Sequence, residues 1–169
     1  LDNFEHLLPA APLVAEMLAA APGLRLLITS REALHLRGEV EIVVPPLALP
    51  DPAQQTTADV VGRASAVALF VQRARDVSAA FQLTDDNAPA VSEICQRLDG
   101  LPLAIELAAA KLKHADPAVL RAWLAQRLDA LQSGPRDLPA RQQTMRATIA
   151  WSYDLLPPAE QARFRQLAV

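Results

Sequence analysis

Four of the eight residues from Pro45 to Pro52 are proline, and this stretch limits the possible folds more than any other part of the chain. Proline lacks an amide N–H and holds φ near −65°, so such a segment can continue neither a helix interior nor a central strand. The polar run from Gln54 to Asp59 extends the interruption. Before it, short apolar runs alternate with helical spacing. After it, the spacing is helical as far as Val169. The resulting division is residues 1–50, a linker at 51–63, a helical bundle over 64–135 and a further helical segment over 136–169.

In the first part, Leu13, Val14, Met17 and Leu18 recur at helical spacing between Pro9 and Ala21, and Pro22-Gly23 ends the helix they predict. Leu24 to Thr29 is an apolar run with one charge, Arg25, and Glu39 to Val44 is a second, both short enough to be buried strands. Ser30-Arg31-Glu32 begins a helical turn between them. A strand of which little more than its end at Asp2 remains, then helix, strand, helix or turn, and strand in this order predict an α/β arrangement with a parallel sheet. In the second part, Ser65 is placed to cap a helix burying Val67, Phe70, Val71 and Ala74. Asn87 with Pro89 starts another, burying Val91, Ile94, Cys95 and Leu98. Gly100 suits a left-handed helix end, Pro102 opens a third helix, and Asp116-Pro117 caps a fourth that presents Leu120, Trp123, Leu124 and Leu128. Ser133-Gly134-Pro135 closes the bundle, and two more helices are expected around Leu156-Pro157-Pro158.

With 169 residues, 51% of them hydrophobic and 21% charged, the chain can bury a core of its own. A net charge of −3 argues against a nucleic-acid surface spread over the whole chain, because phosphate binding needs a clustered positive excess. Any DNA contact is expected from a domain outside it. The single cysteine, Cys95, allows no internal disulfide and suggests a reducing, cytoplasmic setting. Apolar stretches fall short of the roughly 20 residues of a membrane span.

Two strand ends offer candidate chemistry. Asp2 at the end of one strand could hold Mg²⁺, and Thr29-Ser30-Arg31 at the end of the next could meet phosphate, since a guanidinium matches phosphate oxygens. Equally, Arg31 could be a surface arginine paired with Glu32 or Glu5, and Pro102 ordinary helix punctuation. The five glycines are dispersed and form no phosphate cradle. Two neighbours, Glu5 and His6, do not make a zinc site. A hydrolase built on Ser30 or Ser152 lacks a nucleophile elbow.

Leu1-Asp2-Asn3-Phe4-Glu5-His6-Leu7, Leu26-Leu27-Ile28-Thr29-Ser30-Arg31-Glu32-Ala33-Leu34 and Gly100-Leu101-Pro102-Leu103-Ala104-Ile105-Glu106-Leu107-Ala108, in that order, resemble signal-transduction ATPases of the STAND class. The similarity is to the NB-ARC-like module of large bacterial LuxR-like transcriptional regulators. This resemblance implies the C-terminal remnant of a P-loop NTPase α/β core, an all-α lid and the first helices of a winged-helix domain, a mostly α chain lacking the phosphate-binding loop. It implies that Asp2 is the Walker B acid holding Mg²⁺ through water and that Arg31 is a sensor of the terminal phosphate. Thr29, Ser30, Gly100 and Pro102 would lie near nucleotide. Asn3 stands where many such ATPases have a second acid, which implies a slow ATPase in the parent unless Glu5 substitutes. The implied partners are ATP or ADP and a second copy of the parent, in a switch coupling nucleotide state to domain rearrangement. The competing reading is a helical protein–protein interaction module without nucleotide function.

Overall fold

The chain divides between Pro45 and Pro46 into two units, Leu1–Pro45 and Pro46–Val169. The computed structural model describes residues 1–126, 144–154, 156 and 158–166. Leu128, Ser133-Gly134-Pro135 and the 135/136 division, all singled out in the sequence, lie outside the described residues, as do Leu155 and Pro157.

In the first unit a 3-10 segment, Phe4–Ala10, runs into helix α1, Ala11–Ala20. Pro9 lies within the tighter segment, and the first α-helical turn carries Pro12, where a missing amide N–H costs no helical hydrogen bond. Phe4, Ala11 and Val14 form a small buried cluster against Leu26, Ile28, Leu34 and Leu36. Leu13, Met17 and Leu18, expected on the apolar face, are 57%, 50% and 37% exposed. The cluster has room for Val14 and Ala11 and little more. Residues 24–29 alternate, with Leu26 and Ile28 turned inward and Leu27 outward. Apart from a turn contact of Leu24 N to Ala21 O at 2.9 Å, their main chain meets the chain start: the Leu1 amino group donates to Leu27 O at 2.8 Å, Thr29 N to Leu1 O at 3.0 Å, and Phe4 N to Thr29 O at 2.9 Å.

The α/β expectation is corrected here, because no strand is present among the described residues. The run at 24–29 has one short neighbour. The run at 39–44 leaves Val40, Ile42, Val43 and Val44 between 77% and 87% exposed. Apolar runs become a sheet only when their amides find a partner on at least one side along most of their length. Glu39 serves a different purpose: its carboxylate accepts from Leu34 N at 2.9 Å and Leu36 N at 3.0 Å. It thereby closes the turn in which His35 and Gly38 have positive φ.

The second unit is helical: α2 (Ala58–Val61), α3 (Ser65–Val77), α4 (Ala88–Arg97), α5 (Pro102–Ala109), a 3-10 turn (Ala110–Lys113), α6 (Pro117–Gln126), α7 (Met145–Asp154) and α8 (Pro158–Gln166). Helix α3 packs against α4 and α5, and α4 packs against α6. Val67, Phe70, Ala74, Val91, Ile94, Cys95, Ile105 and Leu107 are fully buried at their centre. Small Ala104, Ala108 and Ala109 let neighbouring helices come close to α5. Phe81 meets Phe70 edge-on at 6.3 Å between ring centres, a geometry that suits opposed ring quadrupoles.

The starts of α2, α6 and α7 use carboxylates and a hydroxyl to meet free N-terminal amides. Asp85 Oδ1 accepts from Ala58 N at 2.8 Å, Asp116 Oδ1 from Val119 N at 2.9 Å, and Thr144 Oγ1 from Ala147 N at 2.9 Å. Ser65 departs from the expected cap. It is the first residue of α3 itself, and its hydroxyl accepts from Ala48 N at 2.9 Å.

Candidate functional site

In the first unit the structure brings together five of the residues singled out in the sequence. Thr29 Oγ1 donates to Asp2 Oδ1 and accepts from Asn3 N at 2.9 Å. Asn3 has positive φ, which turns the chain from Asp2 into the 3-10 segment. Arg31 Nε donates to Glu5 Oε1 at 2.9 Å, and the Glu5 side chain is only 8% exposed. Ser30 Oγ accepts from Glu32 N at 3.2 Å, a local turn contact. Asp2 and Arg31, the acid and the cation expected to meet Mg²⁺ and phosphate, are therefore joined to Thr29 and Glu5. These contacts tie residues 1–5 to residues 29–31. Of the two readings of Arg31 open in the sequence, the one that pairs it with Glu5 describes this geometry.

Gly100 and Pro102 belong to the second unit. Asp99 and Gly100 both have positive φ and end α4, with Gly100 N donating to Cys95 O at 3.3 Å. Gly100 is buried, and a Cβ there would lie 2.3 Å from Leu47 O. Pro102 is exposed at the first position of α5, where its missing amide costs no helical hydrogen bond.

Ion pairs in the second unit link helices. Arg73 on α3 reaches Glu106 on α5 at 3.0 Å and Asp76 on its own helix at 3.2 Å. Glu106 and then Asp76 hold the Arg73 guanidinium above its ordinary value. Glu93 on α4 takes Arg97 at 2.8 Å and Arg121 of α6 at 3.4 Å, and the Arg97 hydrogen bond holds its carboxyl below the usual range. Among the described residues, no group of three or more His, Cys, Asp or Glu is placed to hold a metal ion.

Helix α6 presents what the sequence reading missed. Leu120 and Leu124 are buried on its inner side, whereas Val119 and Trp123 are 40% and 41% exposed, one turn apart. Helical spacing places Trp123 in core or interdomain packing, and its exposure leaves it out of the core. Its i, i+4 relation to Val119 instead of Leu120 was the available signal.

Over 169 residues the chain is 44% identical to proteins of Mycobacterium bovis and Mycobacterium tuberculosis that carry the name of HTH-type transcriptional regulator. The match takes in 99% of this chain and 18% of theirs. It is also 41% identical over 170 residues to an uncharacterised protein of Mycobacterium tuberculosis, covering 40% of that protein. The chain thus spans about a fifth of the regulators it matches. No family profile matches it. No solved structure does either.

These findings correct the nucleotide-switch expectation. The relatives are named as helix-turn-helix regulators, and the described residues form helices without the sheet of a P-loop NTPase core. Asp2 and Arg31 are joined to Thr29 and Glu5. Nothing in the site supports ATP, ADP or Mg²⁺ as cofactors, or the slow ATPase expected of the parent. The expected partners change accordingly. The relatives' name speaks of transcriptional regulation and contains no nucleotide-driven assembly. Among the described residues no helix is long and apolar enough to cross a membrane.

Proposed function

We propose that this chain is a helical contact module of an HTH-type transcriptional regulator, working through protein–protein contact and without nucleotide chemistry of its own. The observation that carries this reading is the exposed Val119–Trp123 pair on α6, a helix whose opposite side is locked into the core. Tryptophan is enriched among residues that dominate binding energy, and an indole held on a packed helix loses little freedom on docking. The 44% identity to the mycobacterial regulators supplies the setting, and their greater length supplies the occupant, another segment of the same regulator. A cytoplasmic location fits this role and the buried, unpaired thiol of Cys95.

Two measurements test the proposal. In a regulator carrying this module, Trp123→Ala should weaken the transcriptional response at least severalfold. It should also leave the circular dichroism and melting of the isolated chain nearly unchanged, since surface substitutions cost about 0.5 kcal/mol or less. An unchanged response would remove the α6 contact. Addition of Mg-ADP at millimolar concentration should leave the melting temperature where it was. A saturable rise of several degrees would restore a nucleotide function, because a ligand that binds only the folded state must stabilise it.

A further inference from the structure

The segment that opens the second unit, residues 46–50, lies along the helical core as a strap. Leu47 N donates to Gly100 O at 2.9 Å, Ala48 N to Ser65 Oγ at 2.9 Å, and Ala66 N to Ala48 O at 3.1 Å. Gln96 Nε2 reaches Pro50 O at 3.5 Å, the long limit of a hydrogen bond. Leu47 packs on the core and Pro50 is buried, whereas Ala48 stays exposed and Leu49 is 39% exposed. The strap thus supplies what α3 lacks. That helix has no side-chain cap, and the carbonyl of Ala48 takes one of its first amides.

We propose that the strap is a releasable latch on the helical unit: it detaches as one piece, before the core opens, uncovering the first turn of α3 and the seat of Leu47. Its hold is a few hydrogen bonds, the half-buried Leu47 and the buried Pro50, while the core beneath it is joined by many fully buried side chains from α3, α4 and α5. Pro45, Pro46 and Pro50 stiffen it, so little chain entropy is gained on release or lost on return. Gly100 is the catch. Its positive φ and its contact with the Leu47 carbonyl leave no room for a Cβ, and the obstructing atom is main chain that cannot rotate away.

Amide hydrogen exchange on the whole chain tests the latch through Gly100→Ala and, as a milder variant, Ser65→Ala, which removes only the acceptor of Ala48 N. Gly100→Ala should speed exchange at Leu47 and Ala66 by tenfold or more. Ile94, Ile105 and Leu107 should stay within about twofold, and the Cys95 thiol should remain unreactive. Ser65→Ala should speed exchange at Ala48 and Ala66 severalfold, with the same core amides unmoved. If Gly100→Ala unfolds the helical unit outright, the Ser65→Ala pattern decides alone. Unchanged strap amides, or loss of strap and core protection together, would show that the strap is part of the core and no latch.

Discussion

Glu39 shows how one side chain can organise a segment that has little core. Main-chain amides of Leu34 and, next, Leu36 stabilise its charged form and hold its carboxyl below the usual glutamate value. A carboxylate depressed in the folded state contributes above the unfolded value of about 4.3 and ceases to contribute as pH falls through the lower, folded value. The turn at 34–39 should therefore stay closed at neutral pH and loosen only in acid. Carboxyl titration by NMR should place Glu39 below an ordinary glutamate, and a value at or above about 4.3 would remove its role as a clamp. Arg31 and Glu5 make a similar test of the polar cluster: Arg31→Ala leaves the nearly buried Glu5 carboxylate without this donor and should destabilise the first unit by about 1–3 kcal/mol, the range for leaving a buried polar group unsatisfied. At Cys95, burial pushes the thiol up to about 12. Thiol reagents at pH 8 should label it only as fast as the helical unit unfolds, and rapid labelling of the native chain would mean that α4 is accessible.

Helices α3 to α6 were legible in the sequence because helical spacing states both the element and its buried face. Val91, Ile94, Cys95 and Leu98 recur on one side of α4, and all four are buried. The runs at 24–29 and 39–44 were read as strands for the same kind of reason, and there the inference failed. An apolar run specifies which side chains avoid water but not which chain its amides will meet, and Val40 to Val44 find neither core nor ladder. In the candidate site, pairing between the chain start and residues 29–31 was within reach, since Glu5 was among the partners considered for Arg31. The strap was not. Its signal lay in the amides that the prolines leave, those of Leu47 and Ala48, which need acceptors somewhere. Packing gives the element-scale prediction: Phe70→Ala on α3, fully buried and stacked edge-on with Phe81, should cost about 3–5 kcal/mol. Urea denaturation would check this, and a loss under about 1 kcal/mol would mean that the centre of the bundle is loosely filled.

Across the whole molecule the two units differ in what holds them. The buried cluster of the first is Phe4, Ala11 and Val14, against a core drawn from α2 to α6 in the second. Unfolding should not be two-state. Both tryptophans, Trp123 and Trp151, and the only tyrosine, Tyr153, belong to the second unit. Fluorescence in urea should consequently report a later midpoint than far-ultraviolet circular dichroism, and coincident curves would mean that the units unfold together. The bare run at 40–44 carries one more consequence. A protease must draw several residues of extended chain into its cleft, and accessible segments without hydrogen-bonded partners are where first cuts fall. Elastase, which cuts after small aliphatic residues, should open the chain at Val40 or Val43, while Pro45 guards the bond after Val44. The helical unit would be released intact with a ragged start just ahead of its strap, so that partial digestion would separate the two units along the same line that their packing draws.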